Sequence, residues 1–248
     1  MAYQAVFKRY ELKYLLTVEQ KAKIVAGMAP YMALDSYGHT LIRNLYYDTD
    51  NYRLIRHSIE KPAYKEKLRI RSYGAPRPDE TVYVELKKKY QDVVYKRRLP
   101  LTEELAKDWL SGQTPGPDDS QIAREITYTR DFYETLHPVL FLSYEREAYY
   151  AKDGSDFRVT IDDHLQCRQD ELTLSSTCCS PHPSQETPSI SLLDENLVLM
   201  ELKCSGGIPL WMTEILSKER IYKTSFSKYG TAYRELIFPQ IQQRRFFT

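Results

Sequence analysis

Between Lys65 and Arg98 the chain reads Lys-Glu-Lys-Leu-Arg-Ile-Arg, a Pro/Gly turn, Thr-Val-Tyr-Val-Glu-Leu-Lys, and a basic return ending Val-Val-Tyr-Lys-Arg-Arg. Side chains alternate along a strand, so Lys67, Arg69 and Arg71 share one face of the first segment and Leu68 and Ile70 the other. In the second, Thr81, Tyr83, Glu85 and Lys87 lie opposite Val82, Val84 and Leu86. Three β-strands are predicted, each apolar on one side and lined with long charged side chains on the other. Two architectures share this pattern. One is an antiparallel sheet with a solvated face; the other is a closed barrel whose apolar faces point outward under helices while charged faces line a lumen.

The flanking sequence supplies more elements. Phe7 to Leu15 alternates, with Glu11 and Lys13 on one face. Thr17 and Gln20 have capping-box spacing and open a helix that Pro30 closes. Leu41 to Asp48 reads as a strand and Asn51 to Glu60 as a short helix ended by Pro62. Thr102 to Leu110 and Ser120 to Thr135 read as helices. A long strand runs from His137 to about Ala151, and Asp153-Gly154 turns it into another from Ser155 to Asp163. Gln166 to Asn196 is polar and Pro-containing, a loop excursion rather than a linker. Leu197 to Cys204 is the last clear strand, followed by helical segments around Pro209 to Arg220 and Phe226 to Leu236. About eight mostly antiparallel strands with interposed helices make an α+β chain, expected as one domain over residues 1–248, and eight strands can enclose one elongated ligand.

Charge is unevenly placed. Lys61 to Arg98 holds 12 Lys/Arg against 5 Asp/Glu, and Leu99 to His137 holds 3 against 8, although the whole chain is near neutral at +1. Basic charge concentrated on strands suits a polyanion held locally, not a surface coated for duplex DNA. Aromatics do not interleave with the cations as a stacking platform for single-stranded nucleic acid requires. Lys8 and Arg9 precede any apolar run, and no run approaches the roughly 20 residues that span a bilayer. Cys167, Cys178, Cys179 and Cys204 lack metal-ligand spacing and read as reduced thiols. The five His show no metal cluster, and Trp109 and Trp211 read as packing residues. A soluble, cytoplasmic protein is expected.

The charged triplet recurs: Glu11-Leu12-Lys13, Glu85-Leu86-Lys87 and Glu201-Leu202-Lys203. With Arg69-Ile-Arg71, Arg146 and Arg158-Val-Thr-Ile-Asp162, they suggest one interior where cations and carboxylates meet. A triphosphate needs several fixed Arg and Lys, Arg as a planar fork and Lys as a point charge. Carboxylates among them make sense when they hold a hard divalent metal that bridges phosphate oxygens.

The segments Arg9-Tyr-Glu-Leu-Lys-Tyr14, Leu45-Tyr-Tyr-Asp48, Leu68-Arg-Ile-Arg71, Val84-Glu-Leu-Lys87, Ser143-Tyr-Glu-Arg146, Phe157-Arg-Val-Thr-Ile-Asp162, Met200-Glu-Leu-Lys203 and Ser225-Phe-Ser-Lys-Tyr229 together resemble the triphosphate tunnel metalloenzymes, and more closely the VTC-type polyphosphate polymerase domain. The resemblance implies an antiparallel barrel forming a tunnel, and transfer of the γ-phosphate of ATP to a growing polyphosphate chain with Mn²⁺ or Mg²⁺. It implies that Lys13, Arg69, Arg71, Lys87, Arg146, Arg158 and Lys228 act on the phosphates at the catalytic centre. Lys96, Tyr144, Lys203 and Ser227 would contact substrate, and Glu201 would bind the metal. The expected partners are ATP and inorganic polyphosphate, with no nucleic acid and no membrane segment.

Hydrolases and cyclases of the wider superfamily carry Glu-x-Glu-x-Lys near the N-terminus; here Arg9 stands at the first Glu position, which leans towards the polymerase branch. A triphosphatase using water as acceptor and a non-catalytic polyphosphate-binding module are the alternatives. Glu11 and Glu85 stay open between structural ion pairing and metal contact. Lys88 and Lys89 read as rim charges.

Overall fold

The computed structural model describes residues 10–91, 93–175 and 189–246. Phe7 to Arg9, Cys178-Cys179 and the middle of the polar excursion lie outside the described residues. In chain order the elements are β1 (Tyr10–Thr17), α1 (Val18–Met28), β2 (Met32–Asp48), α2 (Arg53–Ile59), β3 (Tyr64–Tyr73), β4 (Val82–Tyr90) and β5 (Val93–Leu101). Then come α3 (Glu103–Leu110), α4 (Gln121–Tyr133), β6 (His137–Ala151), β7 (Arg158–Arg168), β8 (Ile190–Ser191) and β9 (Leu197–Cys204). The chain continues with α5 (Leu210–Lys218), β10 (Lys223–Thr224), α6 (Lys228–Ala232), a π-helical turn (Tyr233–Ile237) and α7 (Phe238–Phe246).

Local chemistry explains the main boundaries. The Thr17 hydroxyl accepts from the Gln20 amide while the Gln20 side chain accepts from the Thr17 amide, so the capping box starts α1 as expected. Gly154 turns the chain between β6 and β7 at φ +77, a conformation that L side chains rarely adopt. β2 begins at Met32, nine residues before the expected Leu41, with a register irregularity between Leu34 and His39 that obscures its alternation.

All ten strands belong to one antiparallel sheet in the order β10-β1-β9-β7-β6-β2-β3-β4-β5, with β8 beside β7. The sheet curls strongly. Glu11 on β1 and Lys87 on β4 have five strands between them in this order, yet their side chains meet at 3.1 Å. Its ladder ends at β10 and β5, and no backbone pairing joins those ends among the described residues. An open, curled sheet of ten strands therefore replaces the closed eight-stranded barrel expected from the sequence. Period-two alternation reports which face a side chain occupies, not whether the ends pair, and the two-residue β8 and β10 are too short to register in it.

Apolar packing holds the convex side. Leu68, Ile70, Val84 and Leu86 are fully buried against Trp109, Ala123 and Ile126 of α3 and α4. Leu16, Val159, Met200 and Leu202 pack on Ile24 and Met28 of α1 and Met212 of α5. Each such side chain contributes about 1.5–3 kcal/mol. The concave side is divided. Ile42, Tyr46, Leu140, Leu142 and Tyr144 from β2 and β6 are covered by Ile55 of α2 and by Tyr229 and Ala232 of α6, which fill part of the concavity with an apolar core of its own. The closed-barrel reading expected charged faces lining a lumen and did not include this filling.

Asp48 anchors that insertion. Fully buried, it accepts from the amides of Thr49, Leu54 and Ile55 and from the Tyr229 hydroxyl at 2.8–2.9 Å, tying β2 to the start of α2 and to α6. Asp48→Ala would strand these donors, and hydrogen bonds to charged groups are worth about 1.5–3 kcal/mol each. Urea denaturation should show a loss of about 3 kcal/mol or more. A loss of about 0.5 kcal/mol, typical of a surface substitution, would contradict the anchoring role.

Candidate functional site

Residues directed to the concave side by strand alternation form two carboxylate-centred groups. In the first, Glu85 of β4 is almost completely buried. Its Oε2 accepts from Arg69 Nε and Nη2 at 3.0 and 2.7 Å, while Lys96 Nζ lies 2.7 Å and Arg98 Nε 3.5 Å from Oε1. Arg69 also donates to the Tyr46 hydroxyl at 3.0 Å. Arg71 is fixed by Asn44 Oδ1 and the Tyr144 hydroxyl, both at 2.9 Å.

In the second group, Glu201 of β9 is flanked by Lys13 and Lys203 at 3.3 Å, Lys228 at 3.5 Å and Arg146 at 4.0 Å. Beside it, Asp162 of β7 accepts an Arg146 fork and the Lys228 ammonium. Tyr144 joins the two groups: its hydroxyl faces Arg71, while Lys228 and Arg146 lie 4.6 and 5.1 Å from its ring centre. The segment entering α6 closes the arrangement, with Lys67 donating to Ser227 Oγ at 3.1 Å and Lys13 to the Phe226 carbonyl at 2.8 Å.

Electrostatics keep the carboxylates ionised despite burial. Burial opposes the charge on Glu201, but Lys228, Lys203, Lys13 and Arg146 outweigh it and hold the carboxyl well below its ordinary range. Asp162 is depressed in the same way, burial being overcome by Lys228 and Arg146. Glu85 is lowered as Arg69, Arg71 and Lys96 overcome its burial. The cations respond unequally. Lys228 is raised because Asp162 and Glu201 outweigh its burial, whereas Lys203 is lowered because its burial dominates. Burial brings Lys96 down to about 8 despite Glu85.

Lys67 is lowered further than Lys96, to about 7, by burial first and then by the charges of Lys13, Lys87, Lys65 and Arg69. A lysine lowered in this way is partly neutral near neutral pH, and a bound polyanion favours its protonated form. Binding of inorganic tripolyphosphate near neutral pH should therefore take up protons at Lys67, seen as a calorimetric enthalpy that varies with the buffer's ionisation enthalpy. Affinity should weaken as pH rises above about 7. Lys67→Met should lower the uptake; an unchanged uptake would show that Lys67 is not the group responsible.

Of the expected site residues, Lys13, Arg69, Arg71, Lys87, Lys96, Tyr144, Arg146, Lys203, Ser227, Lys228 and Glu201 are brought to this concavity. Arg158 shares the face of Thr160 and Asp162 but is exposed at the rim. The sequence reading assigned no role to Lys67, Arg98, Asn44 or Tyr46, although alternation alone already put Lys67 on the face of Arg69 and Arg71. Glu11 and Glu85, left open there, are engaged in ion pairs with Lys87 and with the Arg69 group.

A divalent ion was implied by the resemblance. Glu201 and Glu11 are hard oxygen donors of suitable chemistry; burial and the nearby Glu201 charge oppose ionisation of Glu11, but Lys87, Lys203 and Lys13 prevail and hold its carboxyl below the ordinary range. Among the described residues, the only three donors within 4.8 Å of one another are His39, Glu145 and Asp163. That group, unforeseen in the sequence, lies on the opposite face of β6 and β7 from Arg146 and Asp162, with Lys21 bonded to Asp163. The concave carboxylates fit a divalent ion only as part of its shell, since among the described residues they form no group of three such donors within 4.8 Å of one another.

The model of the VTC domain matches residues 8–237. A candidate adenylate cyclase from Bacillus halodurans aligns over 94% of this chain and 100% of its own, at 15% identity and a TM-score of 0.54. HpAC1 of Hippeastrum, a candidate adenylyl cyclase with a dominant triphosphatase activity, aligns over 90% and 94%, at 15% identity and a TM-score of 0.52. A candidate adenylate cyclase from Vibrio parahaemolyticus aligns over 92% and 98%, at 11% identity and a TM-score of 0.50. No curated protein matches the chain. At such identities the solved structures speak for a shared fold alone. With the family model extending over nearly its whole length and the motif-bearing strands arranged around one charged concavity, the chain belongs to the VTC domain family.

Proposed function

We propose that this chain is a divalent-metal-dependent polyphosphate polymerase that transfers the γ-phosphate of ATP to a growing inorganic polyphosphate chain, within the single domain expected from the sequence. The observation that carries the reading is the charge imbalance of the concavity. Lys13, Lys67, Arg69, Arg71 and Lys87, with Lys96, Arg98, Arg146, Lys203 and Lys228, surround four carboxylates, Glu11, Glu85, Asp162 and Glu201. Such a surplus at close quarters favours a bound polyanion, and a linear chain of phosphates suits an elongated arrangement of Arg forks and Lys point charges.

In this proposal Arg69, Arg71, Lys87 and Lys96 hold phosphates on the β3–β5 side, while Lys13, Arg146, Lys203 and Lys228 hold them on the β1, β6 and β9 side, with Arg158 at the rim. Ser227 presents α6, and Tyr144 keeps Arg71 and Arg146 at fixed separation. Glu201, with Glu11, would hold Mn²⁺ or Mg²⁺, and the ion would supply further neutralisation of phosphate charge. Catalysis is then chiefly positioning and charge stabilisation of a loose transition state, with the terminal phosphate of the chain as nucleophile. The buried thiols of Cys167 and Cys204 are in keeping with a reducing, cytoplasmic setting. Hydrolysis with water as acceptor is the second reading, favoured by the triphosphatase activity of HpAC1 on the same fold.

Phosphorus NMR of the purified protein with ATP and Mn²⁺ or Mg²⁺ distinguishes these outcomes. Internal polyphosphate resonances appearing with ADP are expected. Orthophosphate without polymer would replace the polymerase with a triphosphatase, and unchanged ATP would leave a binding module. Glu201→Gln should abolish metal-dependent turnover while tripolyphosphate binding remains measurable; full activity in that variant would remove Glu201 from the metal assignment.

A further inference from the structure

Thr160 lies on β7 between Arg158 and Asp162, with Glu201 of β9 and Ala148 of β6 as its cross-strand partners. Val159 and Ile161 on either side are buried in the convex core, so alternation directs Thr160 to the concave side. Only 7% of the residue is exposed, and its Oγ1 has no hydrogen-bond partner among the described residues. The other buried side-chain atoms of this kind among the described residues belong to Glu85 and Arg98, which form an ion pair with each other, and to Arg43 and Gln169, which each donate a hydrogen bond through another atom. The Thr160 hydroxyl has no such compensation. Valine would fill the same space without the desolvation cost that a buried, unpartnered hydroxyl carries.

We propose that Thr160 is a substrate-binding residue whose Oγ1–H donates a hydrogen bond to an oxygen of a phosphate group held in the concavity between Arg158, Arg146 and Glu201. This rests on the polyphosphate reading above and adds to it a neutral contact that supplements the charged ones. A cation at this position would compete for Glu201, already flanked by four, and a carboxylate would repel phosphate; a hydroxyl does neither. Its acceptor lone pairs remain free for water or for a neighbouring N–H.

The test combines Thr160→Val, close in shape but without the hydroxyl, with Thr160→Ser, which retains it. Titration calorimetry with inorganic tripolyphosphate should show wild-type binding, a loss of affinity of about tenfold or more in Thr160→Val, and near wild-type affinity in Thr160→Ser. Thermal melting without ligand should place Thr160→Val at or above the wild type, because the variant removes an unsatisfied buried group. Equal affinity of wild type and Thr160→Val would overturn the inference while leaving the polyphosphate reading intact. A clearly lower melting temperature for Thr160→Val would assign the hydroxyl to the fold instead. Absence of tripolyphosphate binding in the wild type would overturn the polyphosphate reading, and this inference with it.

Discussion

The structure depends on keeping many cations and a few carboxylates ionised in one largely buried space. Desolvation opposes this at each group, and an ion pair removed from water seldom yields a large net gain. The four carboxylates are distributed so that each faces cations: Glu85 among Arg69, Lys96 and Arg98, Glu201 among Lys13, Lys203, Lys228 and Arg146, Asp162 between Arg146 and Lys228, and Glu11 at Lys87. Without them the Arg and Lys side chains would repel one another across the concavity. The apolar cores, two on the convex side and one inside the curl, supply the stability that this charged centre does not.

That third core gives the concavity its shape. Tyr229 stacks on Tyr46 at 4.7 Å and is bonded to Asp48, so α6 is held by aromatic packing and a buried carboxylate together. One residue earlier, Lys228 reaches Asp162 and approaches Glu201. The insertion thus couples an apolar anchor to a charged tip. Tyr144 has a comparable double role, packed in the apolar core while its hydroxyl meets Arg71. Burial resists ionisation of that hydroxyl, but Arg146, Arg71 and Lys228 prevail and lower its pKa.

Much of this was legible in the sequence because strand alternation is a local signal. Lys67, Arg69 and Arg71, and Glu85 with Lys87, could be assigned to one face from their spacing alone, and the Thr17–Gln20 cap could be read from four consecutive residues. Strand β6 has its expected limits, His137 to Ala151. The hidden part consists of contacts between distant positions: Lys13 with Phe226 is separated by 213 residues and Lys228 with Asp162 by 66. Neither α6 as the filling of the concavity nor Asp48 as its anchor has a local sequence signature. Sheet closure was over-read for a related reason, since alternation fixes faces but carries no information about how two sheet edges meet. The resemblance correctly selected the family, and its motif residues fall largely in the concavity, but periodicity could not show that Arg158 is exposed at the rim.

The central claim is that the curled face of the sheet is a binding surface for a chain of phosphates. A crystal structure of the protein grown with inorganic tripolyphosphate and Mn²⁺ tests it most directly. The account predicts phosphate density between Arg69 and Arg71 on one side and Arg146, Lys203 and Lys228 on the other, with a metal ion on Glu201. Tripolyphosphate bound only on the convex surface, or a metal only at His39, Glu145 and Asp163, would contradict it.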